Sequence, residues 1–203
     1  RCRLRRGLDQ AQPLHPRGSE RACRTRGGGH ERARRHLIMA VRAIRLFGDP
    51  LLKSVSESLD PSSARAKDVV RDLIDTVELP GRAGVAANQI GVGLAAFSYN
   101  IDGDVGYLLN PEMLRVWGEL EEMSEGCLSV PGLTFPRLRY PHAIARGYTL
   151  TGELVEVEGE GLMAQALQHE LDHLQGKLYF EGLAPEHKKQ ALRAIRESDW
   201  FAR

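Results

Sequence analysis

A helix-length apolar stretch carrying two histidines and two acids restricts this chain's fold more than any other feature. In residues 162–176, LMAQALQHELDHLQG, the side chains Met163, Leu167, Leu171 and Leu174 recur at helical spacing. Leu162 and Ala166 widen that face, so the spacing predicts a largely enclosed helix. Gly176 suits the left-handed turn beyond its C-terminus. The same helix carries His169, Glu170, Asp172 and His173. Whatever surrounds it must also supply partners for four polar groups, because burying them unpartnered is costly.

Each residue turns a helix by about 100°, so His169 and His173 leave one face a single turn apart. Two imidazoles so placed can meet one cation. Glu170 stands beside them, within reach of a water whose pKa a metal lowers to roughly 7. Histidines four apart also occur by chance on helix surfaces, and enclosure is what favours the metal reading here. Asp172 is expected either to orient a ring or pair with an arginine, with Arg139 the candidate, or to remain a solvated helix charge. Two imidazoles need a third ligand. Downstream, His187 lies on a polar helix and reads as a solvated residue. Upstream, SEGCLSVPG presents Cys127 among Glu125, Gly126 and Ser129, a poor setting for a small core hydrophobe and a good one for a ligand loop.

Elsewhere the pattern is mixed. Ser62 and Ser63 can cap a helix in which Val69, Val70, Leu73, Ile74 and Val77 recur, and Pro80-Gly81 stops it. RAGVAANQIGVG reads as a small-residue loop. LAAFSYNIDGDVGYLLNP reads as two strands around an Asp102-Gly103 turn. AIARGYTL and ELVEVEG read as strands joined at Thr151-Gly152, and a last amphipathic helix runs from Pro185 towards Glu197. Strands in the middle with helices on either side predict an α+β fold. Mostly antiparallel sheets would pack around the central metal-binding helix, flanked by N- and C-terminal helices.

Charge divides the chain in two. Residues 1–38 hold 11 Arg, no Lys and three acids, a net of +8, whereas residues 39–203 carry a net of −7. The Arg-rich extension has no apolar period and no secretory h-region, and its Gly triplet makes a poor transit helix. It reads as sequence upstream of a start at Met39, or as a disordered tail, leaving residues 39–203 as one catalytic domain. An acidic body argues against direct nucleic-acid recognition, and no apolar run is long enough for a membrane span. Cys127 is the body's one cysteine, so no internal disulfide framework can form, and a reducing bacterial cytoplasm is expected rather than an organelle.

Three segments, AGVAANQ (83–89), EGCLSVP (125–131) and QHELDH (168–173), resemble the three ordered signature motifs of peptide deformylases. The likeness extends from IRLFGDPLL to the GKLY after the metal helix. It implies removal of the formyl group from nascent chains that begin with formyl-methionine, near the ribosomal exit site. It implies Cys127, His169 and His173 as ligands of Fe²⁺, with Zn²⁺, Ni²⁺ or Co²⁺ as substitutes, and Glu170 as acid and base. Gln89 and the Leu128 N–H would hold the carbonyl oxygen, and Gly84 would let substrate backbone approach. The sequence departs from the pattern at Arg82, where the family often has Gly, and at Val85 in place of Leu. Arginine is reluctant at positive φ, so altered loop geometry and cleft access are expected there.

The reaction so implied is attack by a metal-bound water on the formyl carbon, with the proton passing through Glu170 to the leaving amine. Leu162, Gln165 and Ala166 lie one and two turns before His169 and are expected to border the methionine side chain, or simply to pack in the core. From the residues alone, a metallopeptidase or other amide hydrolase with the same centre is the alternative, and so is a non-catalytic metal-binding homologue. A thiolate with two imidazoles suits zinc and is open to iron, nickel or cobalt.

Overall fold

The computed structural model describes residues 4–5 and 41–201. Its strands are β1 (Leu4–Arg5), β2 (Gly84–Ala86), β3 (Ala96–Ile101), β4 (Asp104–Trp117), β5 (Glu121–Cys127), β6 (Val130–Arg139), β7 (His142–Tyr148) and β8 (Leu154–Glu160). Its helices are α1 (Ala64–Val77), α2 (Leu162–Leu174) and α3 (Pro185–Glu197). Strands form an antiparallel sheet in the order β1-β8-β7-β4-β3-β2, and β5 and β6 form a separate hairpin. This is the expected α+β class with antiparallel pairing. Within the extension, Leu4 and Arg5 pair with Val157 and Glu156 of β8. What was expected of the rest of residues 1–38, and of Met39 as a start, lies outside the described residues.

Side-chain alternation along β3 shows how the two helices share the sheet. Phe97, Tyr99 and Ile101 join a core with Met163, Leu167, Leu171 and Leu174 of α2. Ala96 packs instead with Val69, Val70, Leu73 and Val77 of α1, and the Ser98 hydroxyl donates to the Leu73 carbonyl at 3.1 Å. Leu108 and Leu109 divide between the same two cores. So α2 covers one face and α1 the other. The Ser63 hydroxyl caps α1, accepting from the Ala66 N–H at 3.1 Å. A third core gathers Val130, Leu178, Tyr179, Phe180, Ala191 and Ile195, which seats α3 beside the hairpin.

Gly176 ends α2 at φ 69°, and a Cβ there would lie 2.5 Å from the Lys53 carbonyl oxygen. Both observations require glycine, because neither the conformation nor the space admits a side chain.

Four expectations need correction. Residues 121–139 form a hairpin that no apolar alternation announces. Its two strands pair only with each other, so Pro131 and Pro136 fall where a missing N–H is tolerated. The 82–93 segment is not wholly loop: it contains β2 and a 3-10 turn at Ala87–Ile90, all buried from Val85 to Ile90. Its small side chains let backbone pack close to backbone. Leu162 does not widen the buried face of α2, being 51% exposed in the first turn. His187 is not simply solvated. It is half-buried, with its ring against Phe135.

Candidate metal centre

Helix α2 and the β5–β6 hairpin meet at three donor atoms. Cys127 Sγ lies 3.1 Å from His173 Nε2, which lies 3.2 Å from His169 Nε2. All three donors fall within 4.8 Å of one another. Cys127 ends β5 just before the two-residue turn at Leu128-Ser129, while the helix aims both rings at it from the other side.

The rings are held from behind. His169 Nδ1 is 2.8 Å from Glu125 Oε1, and an ionised carboxylate there makes Nδ1 the donor. That tautomer leaves the Nε2 lone pair facing the cluster. Arg139 grips both oxygens of Glu125, at 2.7 and 2.8 Å, and donates at 2.9 Å to Asp172, which also receives Arg137 at 2.8 Å. The expected pairing of Asp172 with Arg139 is therefore present, enlarged by Arg137. Burial would raise the Glu125 pKa, but the bonds from Arg139 and His169 hold it well below the usual carboxylate range.

Burial likewise opposes charge on His169, yet its bonds to Cys127 and Glu125 outweigh burial and raise its pKa well above the ordinary value. His173 is pushed well below it, by burial and then by the neighbouring His169. A soft thiolate and two imidazoles, one oriented through its other nitrogen, fit a divalent cation in their donor chemistry.

Glu170 stands beside this cluster and outside it. It is 2% exposed, its Oε2 has no hydrogen-bond partner among the described residues, and burial raises its pKa to about 7. A Cβ on Gly84 would lie 2.3 Å from Glu170 Oε1. The glycine is therefore needed to make room for the carboxylate, a constraint the sequence did not suggest.

Gln89 reaches the cluster from the 3-10 turn after β2. Its Oε1 accepts from the Ala86 N–H at 2.9 Å, and its Nε2 donates to Ser129 Oγ at 3.2 Å and lies 3.5 Å from Cys127 Sγ. A cavity of about 470 Å³ opens over these groups. Gly84, Gln89, Cys127, Leu128, Leu162, Gln165, Ala166, His169 and Glu170 all line it, and His173 sits behind. Gln165 is more than an apolar wall, since its amide donates to the Ser124 carbonyl at 3.0 Å and ties α2 to β5. Leu162 stands exposed at the rim.

Arg82 also lines the cavity, and its φ is not positive, so the anticipated backbone conflict does not arise. Its Nη1 donates to the Thr76 carbonyl at the end of α1, at 2.9 Å. Sequence reasoning passed over Arg137, and it took Glu125 and Ser129 only as polar neighbours of Cys127 without assigning them a role. Had the hairpin been recognised, the two-residue period of a strand would have put Glu125 on the same face as Cys127. Among the described residues, no helix is long and apolar enough to cross a membrane.

Residues 41–189 match the family model described as polypeptide deformylase. Among curated proteins, a peptide deformylase of Acidothermus cellulolyticus is 46% identical, over 80% of this chain and 89% of that one. One from Parafrankia is 43% identical over the same shares. The crystal structure of a peptide deformylase from Legionella pneumophila superposes with a TM-score of 0.72 at 32% identity, covering 78% of this chain and 95% of that one. That of the Thermotoga maritima enzyme gives 0.67 at 32% identity, over 71% and 99%.

Proposed function

This chain belongs to the polypeptide deformylase family, and from that premise we propose how its own residues divide the work. The reaction is hydrolysis of the N-formyl amide on nascent polypeptides, and the family's enzymes use a metal. The relatives give no support to a metallopeptidase or a non-catalytic homologue.

Cys127, His169 and His173 would hold the cation, with Fe²⁺ as the native metal and Zn²⁺, Ni²⁺ or Co²⁺ as substitutes. When bound, such an ion supplies Lewis acidity and a water acidic enough to lose a proton near neutral pH. Glu170 takes that proton on its unpartnered carboxylate oxygen. As water oxygen adds to the formyl carbon, negative charge builds on the formyl oxygen, and two donors face it. One is the Leu128 N–H. The other is the Gln89 Nε2 amide, which keeps one hydrogen on Ser129 Oγ and would turn the other from Cys127 Sγ, 3.5 Å away, to substrate. The carbon–nitrogen bond then breaks, Glu170 returns the proton to the amine nitrogen, and formate leaves. Gly84 keeps the space in which the carboxylate moves. Ala166, the Gln165 stem and Leu162 border the methionine side chain.

The observation that supports this reading most is a buried, partnerless Glu170 oxygen beside three converging donors in one cavity. Substrates of this kind emerge from the ribosome, so the enzyme would work near the exit site in a bacterial cytoplasm, on protein rather than nucleic acid or membrane. Residues 39–203 would suffice as the catalytic domain. Protein purified without air should release formate from formyl-Met peptides, leave acetyl-Met peptides intact, carry iron near one per chain, and lose activity in air. Residues 39–203 alone should do the same. Formate release that survives complete metal removal would overturn the metal-dependent reading.

A further inference from the structure

Among the described residues, the cavity has one accessible charge. Of the charged side chains that line it, Glu125 and Glu170 are buried, at 3% and 2% exposure, and Glu125 is locked to Arg139 and His169. Arg82 alone is half-buried. Among the described residues its one hydrogen bond goes to a backbone carbonyl, Thr76 O, and none of the ion pairs includes it. A guanidinium has five N–H donors, so a single bond anchors the head and leaves most of its donor capacity unused.

Its place along the chain tells which part of a substrate it would meet. Gln89 lies at the donor cluster, Gly84 lies against Glu170, and Arg82 follows two residues further out on the cavity wall. β2, which begins at Gly84, is also the edge strand of the large sheet. A peptide whose formyl end sits at Cys127 and whose first residue passes Gly84 therefore reaches Arg82 with its next residues. At about 3.3 Å per extended residue, the offset from Gly84 to Arg82 corresponds to two positions. A second depression, lined by Asp102, Asp104, Glu158 and Glu160, shares Leu162 with this cavity and is acidic in character.

Resting on the deformylase reading, we propose that Arg82 is a specificity-determining residue which selects substrates with an acidic side chain at the second or third position. The bond to Thr76 O fixes the guanidinium at the rim, and the carboxylate of an incoming Asp or Glu takes up its unused donors. The contact is made before and during reaction alike, so it lowers KM more than it raises kcat. It lies in partly exposed surroundings and weakens with salt.

The test compares kcat/KM for formate release from formyl-Met-Asp, formyl-Met-Ala and formyl-Met-Lys peptides, and the same series at the third position. The metal-loaded full chain should favour Asp over Lys by about three- to tenfold at low ionic strength, mainly through KM, with the ratio falling in 0.5 M salt as about one Debye length shrinks to a few ångströms. Arg82→Gln keeps a donor for Thr76 O and loses the charge, so its ratio should fall to near one. Arg82→Lys should keep part of it. An Asp-to-Lys ratio of one at both positions in the native chain overturns the proposal, as does a ratio that survives in Arg82→Gln. Equal release from all peptides sinks Arg82 alone, whereas no release from any peptide sinks the deformylase reading with it. Should Arg82→Gln fail to fold, the native ratio, its salt dependence and Arg82→Lys still decide.

Discussion

Helix α2 and the β5–β6 hairpin deliver donors to the same point, but different forces hold them there. α2 lies on the sheet through Met163, Leu167, Leu171 and Leu174, and its histidines ride on that apolar seat. The hairpin has an apolar seat too, where Val130, Leu133, Phe135 and Cys127 pack with Leu178, Tyr179 and Phe180, but that seat is not on α2. Its tie to α2 runs through Glu125, Arg137, Arg139 and Asp172, four charged side chains of which Arg139 and Glu125 are 6% and 3% exposed. Apolar packing is non-directional and tolerates small shifts, whereas a bidentate ion pair fixes distance and angle. The arrangement gives a firm platform for two ligands and a directional clamp for the third. The same clamp reaches across to His169 through Glu125, so the two halves are coupled at the ring that needs its tautomer fixed.

The largest effect should come from Glu170→Ala, which leaves both supports intact. Glu170 is on α2 but is not one of the three donors, so metal content should stay near one per chain. Turnover should fall by about 10²–10⁴, the usual contribution of a positioned proton carrier. A variant that works at nearly the native rate would mean that α2 contributes only ligands and packing.

Next in size are two variants that test the contrast directly. Arg139→Met leaves Glu125 and Asp172 partly unpaired in a buried setting and should cost about 3–5 kcal/mol of stability. It also loosens the group that orients His169, so metal affinity should drop by about 10- to 100-fold. Leu167→Ala removes a fully buried side chain on the opposite face of α2 and should cost about 2–5 kcal/mol. It should leave metal affinity much closer to native, measured by chelator competition at a temperature where both variants are folded. If the two variants lose metal affinity equally, the clamp has no special role and the contrast between the halves fails.

The same contrast explains what could be read from sequence. α2 was legible because its seat is periodic: four apolar residues at helical spacing give its length, its buried face and the direction of both histidines. α1 and α3 were legible for the same reason, and the β3–β4 turn was legible through its Asp102-Gly103 pair. The hairpin was not, because a strand pair held by Glu125 and Arg139 shows charges where a strand reader looks for alternating apolar residues. Cys127 stood out through its polar neighbours as a candidate ligand, and the resemblance to a family then implied it as the third. Leu162 misled in the opposite sense, since the helical period carries no information about where the covering elements stop. The space that Gly84 leaves for Glu170 joins residues 86 positions apart, and no local pattern encodes it.

Gln89→Leu should have the smallest effect of these on the support and yet a clear one on the chemistry. Gln89 is 1% exposed and ties its turn to the hairpin by accepting from Ala86 and donating to Ser129. Leucine keeps the bulk and leaves the Ala86 N–H without its acceptor, so about 1–3 kcal/mol of stability should be lost. If the amide also serves the formyl oxygen, kcat/KM should fall by about 10²–10³ beyond that, because the bond strengthens as charge builds in the transition state. Ser129→Ala separates the two roles. It breaks the tie between turn and hairpin and leaves the amide in place, so its melting temperature should drop while most of kcat/KM survives. Thermal melts run beside steady-state kinetics on a formyl-Met peptide would then place the two variants on different axes. Equal losses of rate in both would reduce Gln89 to a strut between the hairpin and β2, with the Leu128 N–H left as the one protein donor to the formyl oxygen.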